Sequence, residues 1–529
     1  MQRPLKPLLV LILALLVGSQ VSLAEPQPVP PEIQAVMAKP RYADATWSLL
    51  VIDVESGEEF YPLNEDKLSF TGSTRKLFSV GLALLSLGPD RRFVTRVHRR
   101  GEIDKNGTLN GDLILVAAGD LVFGGRRIDD DTVEVTDLDH NDANNLGTAV
   151  LPPQDPLYAL NQLAEKVKAS GVTRVSDEVV IDSRLFESYR VPNQNLLITP
   201  MMLNENQIDI TILPTEPGQP AQLTYRPKTE FFEVKNQVVT GDSGTEETVQ
   251  FSGDRLTSGV DGTGIVSGSL PTDYTAALNG QQSYVGTFRV EDPDAFARTA
   301  FIEALQRAGV KVDSASPAAN PADLLPEEIT AETEIARYTS APYDQVAKLV
   351  LKVSLNLGAN LSLSLFGLEK GERTVEGALA AEKRVLSQEY GIDPSLFNFP
   401  TNGSGSPDSQ AAPRALAQWL TIVRKEEVGS TFQQALPILG VDGSLSGTGK
   451  ELPGKGRIFA KTGTTVGPGA DGKPHLIAQC LAGYIETRGG RRVAYALMVN
   501  DAGPLKQIVD VTEVFEDQAV ISNAIFEAL

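Results

Sequence analysis

The stretch Ser73-Thr74-Arg75-Lys76-Leu77-Phe78-Ser79-Val80-Gly81-Leu82-Ala83-Leu84-Leu85-Ser86-Leu87, closed by Gly88-Pro89-Asp90, decides how this chain is read. Apolar residues from Leu77 to Leu87 fall on almost every face of a helical period, which marks a helix buried all round. Gly88 and Pro89 supply the stop. The helix has one polar end. Ser73 and Lys76 stand three residues apart there, on one face, so the hydroxyl and the amine can meet. A first helical turn also leaves backbone N–H groups without partners, a place for an oxyanion or a carboxylate. Taken alone, the pair reads equally as an ordinary helix start, because serine is a common N-cap.

Outward from this helix, Trp47 to Val54 alternates apolar and polar, turns at Glu55-Ser56-Gly57-Glu58 and resumes at Glu59 to Leu63, a β-hairpin. After Pro89 the texture changes. Phe93–His98 and Leu109–Val116 read as strands, and Arg126 to Asn145 as a polar surface excursion. A helical period over Pro156–Ser170 is followed by a long β-like run from Met202 to Leu270. Helical patterns return at Pro293–Ala308, Tyr343–Leu368, Glu376–Tyr390 and Pro413–Lys425. Asn402-Gly403-Ser404-Gly405-Ser406 reads as a flexible loop, Arg457–Lys461 as a strand, and Leu476–Thr487 with Arg491–Asn500 as a hairpin. A last helix follows Pro504. The expected fold class is α/β, with residues 25–91 and 286–529 forming one domain around a β-rich insert at 92–285.

The chain has 529 residues, 41% of them apolar and 22% charged, enough for several domains with a sizeable core. A formal net charge of −21 argues against nucleic acid and anionic membrane as partners. The single cysteine, Cys480, excludes an intramolecular disulfide and sits in an apolar strand pattern. Arg3 and Lys6, the apolar run Leu8–Val17 and the small-x-small site Ser22-Leu23-Ala24 read as a cleaved signal peptide over residues 1–24. That run is too short to span a bilayer, so the mature chain is expected to be extracytoplasmic, periplasmic or similar, without a membrane anchor.

Two further boxes give Ser73 and Lys76 a chemical context: Ser354-Leu355-Asn356 and Lys461-Thr462-Gly463-Thr464. A serine hydroxyl attacks a carbonyl only when a base takes its proton. His98, His140 and His475 lack a catalytic setting, and no G-x-S-x-G elbow occurs, so Lys76 is the available base. An ordinary lysine has a pKa of about 10.4, so burial or a neighbouring cation such as Lys461 must lower it. Ser354 can relay a proton, Asn356 can hold Lys76, and the backbone after Gly463 can join the Ser73 N–H in holding an oxyanion. Each box alone also reads as a cap or a polar helix residue. S-x-x-K, S-D-N and K-T-G are the joint signature of penicillin-binding proteins and class A β-lactamases, and all three occur here in that order, the second with Leu355 at its middle position.

With Leu109-Asn110-Gly111-Asp112-Leu113, Gly403-Ser404-Gly405-Ser406 and Gly440-Val441-Asp442-Gly443-Ser444-Leu445, the chain resembles the D-alanyl-D-alanine carboxypeptidase/endopeptidase family, the class C low-molecular-mass penicillin-binding proteins. The resemblance covers nearly the whole mature chain and includes the long gap between the first two boxes. It implies a penicillin-recognising serine transferase fold (β-lactamase/transpeptidase-like) with inserted domains. It implies Ser73 as nucleophile, Lys76 as base, Ser354 and Asn356 in the proton network, and Lys461, Thr462, Gly463 and Thr464 on the substrate's carboxylate. Peptidoglycan stem peptides are the implied substrate and β-lactams covalent inhibitors, with neither metal nor cofactor. The chain departs from the family at Leu355, usually Asp, at Asn360 in place of a Glu, at Gly119-Asp120-Leu121, and in an extra Asp129–Pro153 segment. The competing readings are a β-lactamase, disfavoured by the insert, and a non-hydrolytic wall-binding protein, disfavoured by retention of the nucleophile.

Overall fold

The computed structural model describes residues 27–252, 255–256, 262–469, 472–506 and 510–529; the expected signal peptide lies outside the described residues. Both ends of the chain meet in a five-stranded antiparallel sheet. Its strands are β1 (Thr46–Asp53), β2 (Glu59–Leu63), β3 (Ile458–Pro468), β4 (Pro474–Glu486) and β5 (Arg492–Asn500), in the order β2-β1-β5-β4-β3. Strand alternation gives the sheet two apolar faces. Val493, Tyr495, Leu497 and Val499 of β5 pack with Val514, Ile521 and Ile525 of the C-terminal helix Val511–Ala528. Ala494, Ala496 and Met498 face the helical layer on the other side.

That layer is centred on α1 (Lys76–Leu87), whose residues from Lys76 to Leu84 are all buried. Around it stand α2 (Tyr343–Lys352), α3 (Asn356–Glu369) and α4 (Pro413–Lys425). Trp419 of α4 is fully buried, stacks on Phe78 at 5.7 Å and donates its indole N–H to Leu77 O at 2.8 Å. Gly81 makes this possible, because a Cβ there would stand 3.0 Å from the Trp419 ring. Removing such a buried indole typically costs about 3–5 kcal/mol.

A second apolar core draws on residues from Val97 to Tyr338. Strands Arg92–Ile103 and Thr108–Val116 lie in a six-stranded sheet whose edge is Glu334–Pro342, and helix Pro293–Arg307 packs beneath it. A four-stranded sheet built on Gln207–Leu213 and Tyr284–Val290 shares this core. The expected division at residue 285 therefore does not coincide with the edge of the second core, which continues through helix Pro293–Arg307 to Tyr338. Helical periodicity at 293–308 resembled a return to the first domain, but its apolar face is spent on the insert.

Two local readings also change. The single helix expected over Tyr343–Leu368 is two helices, broken between Lys352 and Asn356. Ser354 adopts a left-handed φ of 63°, and Leu355 is extended. The apolar period continues across the break, so it hides it. The Arg126–Asn145 excursion is not simply a polar surface loop. Arg126, Val133, Asp139, His140 and Ala143 are buried. Arg126 donates to Asp139 and to Glu205, and His140 Nδ1 lies 2.6 Å from Asp209. Paired charges can be buried where single ones cannot, and composition does not reveal the pairing.

Candidate active site

The site lies where β3, the end of α1 and the α2–α3 break converge. Ser73 sits in a 3₁₀ turn, Gly72–Arg75, that runs straight into α1. Four oxygens surround Lys76 Nζ: Asn356 Oδ1 at 2.6 Å, Ser73 Oγ at 2.7 Å, Ser354 O at 2.7 Å and Ser354 Oγ at 3.0 Å. The left-handed turn at Ser354 aims both its carbonyl and its hydroxyl at the amine. Strain of this kind costs about 1–3 kcal/mol and clusters at working sites. Lys461 reaches the same hydroxyl from the opposite side, donating to Ser354 Oγ at 2.8 Å and to Thr462 O at 2.8 Å.

Both lysines are fully buried. Burial pulls Lys76 down to about 7, with Asp142 pulling the other way. Burial and then the charge of Lys76 lower Lys461 well below its ordinary value, again opposed by Asp142. Burial favours the neutral form of Lys76. Ser354 O and Asn356 Oδ1 only accept, so each takes an N–H bond from Lys76, and in the neutral amine the lone pair is left to the Ser73 or the Ser354 hydroxyl.

Backbone approach is as close as glycine allows. A Cβ on Gly463 would stand 2.3 Å from Thr71 O and 3.0 Å from Ser73 N, and one on Gly72 would stand 2.6 Å from Thr464 N. The N–H groups of Ser73 and Thr464 thus come from two segments in contact, the arrangement an oxyanion needs. Thr462 Oγ1 lies 2.8 Å from Ser444 Oγ, whereas Thr464 Oγ1 bonds Gln479 Oε1 at 2.9 Å. Of the residues expected at the site, Ser73, Lys76, Ser354, Asn356 and Lys461 form one hydrogen-bonded set. Thr462 and Gly463 adjoin it, and the Thr464 side chain is engaged with the neighbouring strand.

Several contributors escaped the sequence reading. The Gly403–Ser406 segment, read as a flexible loop, is pinned: Asn402 Oδ1 accepts from Ser404 N and Gly405 N, and Asn360 Oδ1 accepts from Gly403 N at 2.8 Å. Asn360 thereby ties α3 to that loop. Leu355 is buried among apolar neighbours, where a leucine is at home. The excursion brings Asp142 close enough to act on both lysines, and Asp137 accepts from Gly443 N at 2.8 Å beside Ser444. Its run of aspartates was the one available signal. Asp139, His140 and Glu205 have the spacing of metal ligands, but Arg126 already donates to both carboxylates.

A serine hydroxyl on a buried lysine, a second lysine on an edge strand, and a mixed α/β body with additional sheets define a serine peptidase of the penicillin-binding type. The family model of the D-Ala-D-Ala carboxypeptidase 3 (S13) family matches residues 30–519. The chain is 25% identical over 498 residues to the D-alanyl-D-alanine carboxypeptidase of Actinomadura sp. (strain R39), covering 89% of this chain and 81% of that one. It is 24% identical over 465 residues to the D-alanyl-D-alanine carboxypeptidase DacB of Haemophilus influenzae, covering 83% and 81%. The crystal structure of penicillin binding protein 4 (dacB) from Haemophilus influenzae superposes with a TM-score of 0.67 at 20% identity, covering 94% of this chain and 99% of that one. The chain belongs to the D-Ala-D-Ala carboxypeptidase 3 (S13) family and is a D-Ala-D-Ala carboxypeptidase with the penicillin-binding protein 4 fold.

Proposed function

We propose that Ser73 is the acylated nucleophile and that peptidoglycan stem peptides ending in D-Ala-D-Ala are the substrate. The carrying observation is Ser73 Oγ at 2.7 Å from the Lys76 amine, whose burial favours the neutral form that can take its proton. Ser73 Oγ attacks the carbonyl carbon of the penultimate D-Ala, and its proton passes to Lys76 Nζ. The N–H groups of Ser73 and Thr464 hold the oxyanion. As the C–N bond breaks, Ser354 passes a proton from Lys76 to the leaving amine. Water then hydrolyses the ester on Ser73. Lys461 and Thr462 bind the terminal carboxylate. Asn356 holds Lys76 in place, and Gly463 lets β3 approach Ser73.

β-Lactams present a strained amide to the same hydroxyl and acylate it irreversibly on this reading. A Haemophilus influenzae penicillin binding protein 4 structure of like fold holds a β-lactam. Fluorescent penicillin should label the wild type and leave Ser73→Ala unlabelled; label persisting on that variant would put the nucleophile elsewhere. No described helix is long and apolar enough to cross a membrane. Export with removal of residues 1–24 is supported by Arg3, Lys6 and Ser22-Leu23-Ala24. The mass of the exported chain tests this, Glu25 being the expected first residue.

A further inference from the structure

Between Ser73 and Lys76 stands a side chain that the reaction does not use. Arg75 turns away from the cleft into the helical layer. Its guanidinium makes a two-pronged bond to Glu382 on helix Val375–Arg384, Nη1 to Oε1 at 2.8 Å and Nη2 to Oε2 at 2.5 Å. The two side chains are 0% and 1% exposed. The guanidinium carbon lies 4.0 Å from the centre of the Phe399 ring, which itself packs at 5.0 Å on Phe78 of α1. Arg75 Nε has no hydrogen-bond partner.

A buried ion pair with an orphaned donor is a poor way to stabilise a fold, since apolar residues of equal volume commonly do as well or better. Its geometry offers something else. The Gly72–Arg75 turn is pressed from the cleft side by Gly463. It is also pressed by Gly405, where a Cβ would stand 2.0 Å from Gly72 O and 3.3 Å from Arg75 Cβ. The fork-to-carboxylate bond holds the same turn from behind, with the fixed orientation that a planar guanidinium imposes. A turn clamped on these sides cannot rotate Ser73 away from Lys76.

We propose that Arg75 and Glu382 are positioning residues for acylation, fixing the turn that sets Ser73 Oγ against Lys76 Nζ. The proposal rests on Ser73 being the nucleophile. The test compares Arg75→Met, Glu382→Met and the double variant by thermal melting and by stopped-flow acylation with penicillin, separating the binding constant from the acylation rate. Each single variant strands one buried charge and should melt well below the wild type. The double variant should recover most of the melting temperature yet acylate roughly ten- to a hundredfold more slowly, with penicillin binding before acylation little changed. Arg75→Lys keeps the charge, loses the fork, and serves if the double variant does not fold; it should slow acylation about tenfold with the pH profile in place. Wild-type acylation in a folded double variant, or in Arg75→Lys, overturns the positioning role. Labelling of Ser73→Ala would instead overturn the nucleophile assignment on which it rests.

Discussion

Lys76 and Lys461 carry the same charge and share a hydroxyl, Ser354 Oγ, at 3.0 and 2.8 Å. Their roles separate by what else each touches. Lys76 faces Ser73 from a fully buried position, which favours the neutral amine; with its pKa drawn down to about 7, acylation should rise as pH climbs through 7 and fall about tenfold per unit below it. A pH–rate profile that is flat between 5 and 8 would contradict the base role. Lys76→Ala should cost about 10²–10⁴-fold for charged and neutral acyl donors alike. Burial lowers Lys461 as well, but a substrate carboxylate beside it favours the charged amine on this reading, so Lys461→Ala should penalise peptides with a free D-Ala end far more than amidated ones. One charge-assisted hydrogen bond contributes about 1.5–3 kcal/mol, or roughly ten- to a hundredfold in kcat/KM. Equal losses on both ends would remove the carboxylate assignment.

The elements show why part of this site was legible and part was not. An i, i+3 pair on a greasy helix is a local pattern, and so is a strand ending in Lys-Thr-Gly; both stood in the sequence. The excursion from Arg126 to Asn145 read as surface because its charges are local in sequence while their partners are not. Arg126 pairs with Glu205, His140 with Asp209 and Asn144 with the backbone of Thr287. This cluster fixes the segment that carries Asp137 to Gly443 and Asp142 toward the lysines. Although burial works against both shifts, the carboxylates hold His140 up at about 10, and Arg126 with His140 holds Glu205 down at about 2. The Glu205 contribution is therefore complete above its ordinary value of 4.5 and fades as pH falls toward 2. Arg126→Met leaves Asp139 and Glu205 buried without the cation that bonds both, with only His140 nearby. Urea titration at neutral pH should show a loss of about 3–5 kcal/mol. A loss below 1 kcal/mol would mean that the cluster does not bind the excursion to the insert.

On the scale of the whole molecule, the Ser73 helix and the Ser354 turn border one core, which also takes in Leu121, Val133, Phe186 and Ile198 of the insert, while most of the insert builds a second. We assign catalysis to the first and control of access by wall polymer to the second. Exposed insert positions such as Lys235 and Val239 are therefore free of the chemistry. Lys235→Ala and Val239→Ser should leave turnover of a small thioester substrate within about threefold, the range expected of surface changes. A larger loss in a folded variant would put the insert inside the catalytic unit. Asp137 of the insert's excursion bonds Gly443 in the turn beside Thr462 and Asp142 acts on both lysines, so these two positions stand outside this expectation.

Sequence alone determined the buried helix with its polar end, the serine and lysine three residues apart there, the order of the three boxes, and a long strand-rich stretch between the first two. These are facts of spacing and period along a few residues of chain, where covalent geometry already dictates which side chains share a face. Only the tertiary structure decided that Ser354 takes a left-handed turn, that helix 293–307 belongs to the second core, and that a polar excursion is half buried. The same holds for the Arg75–Glu382 clamp behind the nucleophile. Each depends on partners far away in sequence, 278 residues between Lys76 and Ser354 and 307 between Arg75 and Glu382. Period and composition carry no record of such pairings, because burying a charge depends on what the fold places opposite it.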